Sequence, residues 1–143
     1  YLLSGSQMAL PSGSSITAKN SIIDKELGSN TWVYSGSGST CSFTSCLFID
    51  RNLNSTWRFN HDVFAENHVF KNCIFRSEKS NNSNPPVYGR LIACAVYNYD
   101  ASSYSDEEVI FYGDPLMIYF DPTSHENSNY QLRPLSPLIG KGK

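Results

Sequence analysis

Three stretches of the chain follow one plan: Ala18-Lys19-Asn20-Ser21-Ile22-Ile23, Phe43-Thr44-Ser45-Cys46-Leu47-Phe48 and Phe70-Lys71-Asn72-Cys73-Ile74-Phe75. A fourth, Leu91-Ile92-Ala93-Cys94-Ala95-Val96, fits the same frame. Aligned, they place Ala18, Phe43, Phe70 and Leu91 in one column, Ser21, Cys46, Cys73 and Cys94 in a second, and Ile23, Phe48, Phe75 and Val96 in a third. Along the second column the repeats lie 25, 27 and 21 residues apart. A period in this range marks a stacked, solenoid-type protein, because a single unit cannot bury its apolar face alone. The repeated unit is a short apolar strand, so the expected architecture is all-β. A unit of this length, holding two or three strands, is about one turn of a right-handed parallel β-helix, giving about four to five coils.

The chain has 143 residues, of which 40% are hydrophobic and 13% aromatic, enough for one continuous core and one domain. Within it, 1–15 reads as an opening loop or rung, 16–112 as the coils and 113–143 as a C-terminal cap. Turn clusters such as Ser35-Gly36-Ser37-Gly38-Ser39 and Asn52-Leu53-Asn54-Ser55 separate the strand segments. No segment keeps apolar residues at helical spacing over three turns. Asn20, Ser45 and Asn72, one place before the second column, are expected at a bend, with side-chain amides bonding the next level. Ala93 ends that series.

Four cysteines invite a disulfide reading in a secreted chain. The register instead sends Cys46, Cys73 and Cys94 into the interior as a stacked column of free thiols, at the strand spacing of about 4.8 Å. One disulfide stays open as an alternative. Zinc is disfavoured, because the C-x4-C spacing of Cys41 and Cys46 lacks a second ligand pair.

A net charge of -2, with 11 scattered basic residues, supplies no field for nucleic acid, so no nucleic-acid partner is expected. No apolar run approaches the roughly 18 residues of a membrane span. Tyr1-Leu2-Leu3-Ser4-Gly5 has neither the charged start nor the long apolar centre of a signal peptide, and the chain is expected to be a mature or trimmed portion of something longer.

Gly113-Asp114-Pro115-Leu116-Met117 leads into Phe120-Asp121-Pro122, and Asn129-Tyr130-Gln131-Leu132-Arg133-Pro134-Leu135-Ser136-Pro137-Leu138-Ile139-Gly140 follows. This resembles the closing segment of bacterial secreted proteins of the pectate-lyase-like right-handed β-helix superfamily, in which a D-P-x-F, D-Y-x-L, S-P-x-I-x-x-G series recurs. The resemblance covers about 113–142 and extends loosely back to about 16; Asn129 stands where the family often has Asp. It implies a secreted or cell-surface protein. On their own terms Tyr130, Leu132, Leu135, Leu138 and Ile139 can cover the open end of the core, and prolines within the segment end strand pairing. The opposite end has no such cover, so preceding coils, another domain or another chain are the expected partners there.

Three groups of residues carry candidate chemistry. Asp24 and Asp50 leave their strand ends on adjacent levels, and carboxyl groups about 5 Å apart suit a retaining glycoside hydrolase; the structural alternative is an ion ladder with Arg76. His61 and Asp62 have the side-chain types of general acid–base work, although neighbours on a strand point to opposite faces. Trp57 and Arg58, in the same segment as His61 and Asp62, add an aromatic platform and a cation of the kind that binds glycan or a partner. Aromatic residues form the third group, with Trp32 and Tyr34 on an early coil and Tyr97, Tyr99, Tyr104, Tyr112 and Tyr119 on later ones. Exposed at successive levels, such rings form a ribbon for sugars or a partner. The resemblance also brings polysaccharide lyases, which pair a basic residue with calcium; Arg51, Lys71, Arg76 and Arg90 supply bases, but Asp106-Glu107-Glu108 is no calcium loop. No cofactor is therefore expected, with calcium possible in principle but unsupported by a motif. Asn54-Ser55-Thr56 and Asn81-Asn82-Ser83 match N-glycosylation acceptors. The function this reading favours is a non-catalytic surface module, in an adhesin, fibre or filament, that binds glycan or a protein partner. Its rivals are a fragment of a polysaccharide lyase or glycoside hydrolase, with Asp24, Asp50, His61 and Arg76 as catalytic candidates, and a purely structural spacer.

Overall fold

The computed structural model describes residues 2–4, 8–25, 33–35, 37–51, 67–79, 87, 89–100, 102, 104–105, 107–121 and 128–141. The chain is all-β, and its sheets are mostly parallel. Its strands are β1 (Leu2–Ser4), β2 (Met8–Leu10), β3 (Ser15–Lys19), β4 (Ile22–Lys25), β5 (Val33–Ser35), β6 (Thr40–Thr44) and β7 (Leu47–Asp50). They continue with β8 (His68–Lys71), β9 (Ile74–Ser77), β10 (Arg90–Ile92), β11 (Cys94–Tyr97), β12 (Val109–Tyr112), β13 (Met117–Tyr119) and β14 (Asn129–Leu132). One sheet has the order β1-β4-β7-β9-β11-β12, a second β10-β8-β6-β3, and β2 pairs with β5 in a third. The register sets Ala18 beside Phe43, Phe43 beside Phe70, and Phe70 beside Leu91. It likewise sets Ile23 beside Phe48, Phe48 beside Phe75, and Phe75 beside Val96. Two of the sequence columns are thus columns in space. Near the start of the chain, β1 pairs in parallel with β4 and β2 with β5.

Between the paired sheets the chain turns through a single residue. Asn20, Ser45, Asn72 and Ala93 have φ of 49°, 54°, 52° and 52°, the left-handed region that asparagine tolerates better than most residues. The hydrogen-bond ladder passes through the corner without a gap. Asn20 N–H donates to Thr44 C=O at 3.0 Å, Ser45 to Lys71 at 2.9 Å, Asn72 to Ile92 at 2.9 Å and Ala93 to Glu107 at 3.1 Å. The bend therefore lies where the sequence puts it, and backbone groups carry this ladder across it. For that reason it continues at Ala93, where a ladder of side-chain amides would have stopped.

Alternation about this corner fills the interior. Phe43 stacks on Phe70 with ring centroids 5.4 Å apart, Phe48 stacks on Phe75 at 4.8 Å, and Phe43 meets Phe48 edge-on at 5.1 Å. Cys46, Cys73 and Cys94 are buried free thiols in this core. Each donates to the carbonyl two residues before it and to one on the preceding level: Cys46 to Ala18, Cys73 to Phe43 and Cys94 to Phe70. Cys41 is buried beside His68 in a separate column.

The tail corrects one expectation. Strands β13 and β14 form an antiparallel pair lying on the outer face of the six-stranded sheet. Met117, Phe120 and Tyr130 pack there against Ile22, Leu47, Ile49 and Ile74, while Leu135 is 89% exposed. The segment is a clasp along the side, whereas the sequence suggested a lid over the end. The cause lies in the strands beneath. Ile22, Leu47 and Ile74 make the sheet apolar on its outer face as well, and that face requires cover.

Two outcomes check this description. Cys73→Asp places a carboxylate at a site 1% exposed, at a cost of about 3 kcal/mol or more. That should lower Tm by about 10 °C in thermal unfolding. Asn72→Gly should be nearly neutral, whereas Asn72→Val should destabilise by about 1–2 kcal/mol in denaturant titration, because φ there is positive.

Candidate functional site

Strand parity decides the fate of the carboxylates. Asp24 is partnered in register with Ile49, and Ile49 with Arg76, so all three share the outer face. Asp50 is partnered with Lys25 and Ser77, one residue further along, and lies on the inner face, 1% exposed. The carboxylate pair expected from the repeat is therefore not formed, since a one-residue offset on a strand reverses the direction of a side chain.

Asp24 instead anchors the clasp. Arg51 donates from Nε to Asp24 Oδ1 at 2.8 Å and from Nη2 to Oδ2 at 2.7 Å, a bidentate pair in which both side chains are buried. The same guanidinium donates to the Asp121 carbonyl, to Tyr130 Oη at 3.1 Å and to Ser128 Oγ at 3.4 Å. Tyr130 Oη in turn donates to Asp24 Oδ2 at 2.6 Å. Burial opposes the charge of Arg51, yet the bonded Asp24 carboxylate holds it above its usual range. Burial, followed by the Asp24 carboxylate, pushes the Tyr130 phenol up to about 12.

Arg76 belongs to the same clasp rather than to an ion ladder with Asp24. Its Nε donates to Glu78 at 2.7 Å and its Nη1 to Asp114 at 2.9 Å. Its guanidinium lies 4.2 Å from the Phe120 ring centroid and 4.9 Å from that of Tyr97, and Arg51 lies 4.7 Å from Phe120. Two buried cations and one aromatic ring thus hold the tail to the sheet.

The aromatic ribbon divides. Tyr99 joins the core, where burial and then the charge of Asp50 raise its phenol well above the usual range. Its position opposes a binding role. Tyr97 is half-buried against Arg76, and Tyr104 donates to the Val87 carbonyl at 2.8 Å. Tyr112 and Tyr119 are exposed. Trp32, Trp57, Arg58, His61 and both glycosylation motifs lie outside the described residues, as does the side chain of Tyr34. Among the described residues, no group of three or more His, Cys, Asp and Glu side chains is placed to hold a metal.

Between clasp and sheet runs a groove of about 790 Å³, within the size range of ligand clefts. Its floor is aliphatic: Ile22, Leu47, Ile74, Ala95 and Ile110 come from successive strands. One rim carries the corner residues Asn20, Ser45 and Asn72; the other carries Asn129, Gln131 and Leu132 of β14, with Leu138 and Lys141 beyond. Sequence reasoning did not single out this groove or the role of Arg51. The available signal was the lack of alternation in Leu47-Phe48-Ile49 and Ile22-Ile23, the pattern of a sheet covered on both faces.

Comparison with protein-family models, with curated proteins and with solved structures returns no match.

Two outcomes follow from the clasp. Arg51→Met leaves Asp24 buried without its cation and should cost about 3–5 kcal/mol in chemical denaturation, whereas adding Asp24→Leu should restore most of the loss. The second concerns pH. A phenol raised in the folded chain contributes stability that is complete below its ordinary value near 10 and is lost as pH rises through about 12. Alkaline melting curves should show that loss; Tyr130→Phe should remove the Tyr130 share and leave the one that Tyr99 contributes.

Proposed function

We propose that the chain is a right-handed parallel β-helix module of a secreted or cell-surface protein, and that it works by binding a protein partner in the groove, without catalysis. The helical reading rests on the path of the chain: strands alternate between two parallel sheets through a repeated left-handed corner, and each pairs with its counterpart one repeat on. The choice between glycan and protein rests on the groove lining. Sugar rings stack on aromatic faces, but this floor is aliphatic, and Tyr130 is the aromatic residue among those described in the lining. Aliphatic pockets with amide and hydroxyl rims suit the side chains and backbone of a protein.

The enzymatic alternative asks for an acid, a base and a cation open to substrate on one face. Asp24 is bonded to Arg51 and Tyr130, and Arg76 to Glu78 and Asp114, so these candidates serve the clasp.

The single observation that carries this function is an aliphatic groove bounded by polar rims. Selection of the chain against displayed random peptides, beside retention assays on neutral and acidic polysaccharides, tests it. The expected result is enrichment of peptides that the Ile110→Arg variant fails to retain, because the new side chain enters the floor. Retention on a polysaccharide without peptide enrichment would overturn the protein partner. Release of unsaturated uronate or new reducing ends would overturn the binding role itself.

A further inference from the structure

Strand β14 lines the groove and β13 does not, so β14 presents to the groove the edge that faces away from its partner. A two-stranded pair is the least stable form of sheet, and a third strand strengthens it. Among the described residues β14 has a neighbouring strand on one side only. Facing that edge, the floor offers aliphatic side chains from successive strands, spaced by about 4.8 Å.

Charge narrows the choice of occupant. Lys141 lines the groove, and the described lining residues include no carboxylate. A ligand with one negative group therefore complements the site at its Lys141 end, and that group need not compete with a carboxylate of the chain.

We infer that the groove receives an extended peptide segment of the partner, which adds as a third strand to the outer edge of β14. Alternate apolar side chains of the segment rest on the sheet face, and a carboxylate of the segment meets Lys141. This rests on the protein-binding reading above and adds the mode of binding. Main-chain hydrogen bonds to the edge supply affinity, and the floor selects apolar residues at every second position.

The test uses the full chain and a synthetic decapeptide alternating valine and threonine, with an aspartate at one end. Binding is measured by calorimetry for the parent peptide and for a series with one backbone amide methylated at a time. Methylation removes one donor, so affinity should fall about fivefold or more at alternate positions and little at those between. Lys141→Glu should weaken the acidic peptide about tenfold at low salt, and a neutral asparagine version of the peptide much less. Lys141 is exposed, so this variant keeps the fold. Binding that Ile110→Arg abolishes, but that methylation affects evenly or not at all, would overturn strand addition while leaving the groove as a protein site. Failure of this peptide and of the displayed library, with retention on polysaccharide, would overturn both readings.

Discussion

The left-handed corner is the constraint on which the rest of the structure depends. Four times the chain reverses the handedness of one residue, at Asn20, Ser45, Asn72 and Ala93, and each time it passes from one parallel sheet into the other. An L-residue in that region costs about 1–2 kcal/mol unless its side chain tolerates it. The cost is met because the turn keeps every level in register: the corner amides bond the next level, and the phenylalanines stack ring on ring. A slip of one residue would send Phe48 and Phe75 outward and bring Leu47 and Ile74 in.

The outer face raises a second demand, which the tail answers. A sheet apolar on both sides has to be covered, and β13 and β14 cover part of it. Nonspecific aliphatic contact alone would leave the tail free to slide. The buried Asp24–Arg51 pair, with Tyr130, Ser128 and the Asp121 carbonyl around it, supplies a fixed point. Such a pair adds little net stability relative to a packed apolar alternative; its effect is to make one arrangement much better than its neighbours. The groove runs beside that fixed point, lined on the clasp side by Asn129, Gln131 and Leu132.

Legibility in the sequence followed the same division. Columns of like residues, Phe43 with Phe70 and Phe48 with Phe75, were readable because stacked levels repeat identical demands, and so was the bend at Asn20, Ser45 and Asn72. The relation of Asp24 to Asp50 was misread because their offset from the thiol column differs by one residue, and strand parity converts one residue into opposite faces. The side on which the tail docks was not readable either. Contacts such as Tyr130 with Asp24 span 106 residues and have no periodic signature. Trp57, Arg58 and His61 fall outside the described residues, so their roles rest on the sequence alone.

Scalar couplings across backbone hydrogen bonds, measured by NMR on the isotope-labelled chain, test the corner-based register most directly. The account predicts couplings from the Ser45 amide to the Lys71 carbonyl carbon and from the Asn72 amide to the Ile92 carbonyl carbon, with the Leu47 amide coupled to Ser21 and the Ile74 amide to Cys46. Couplings displaced by one residue, or an antiparallel pattern at these amides, would contradict it.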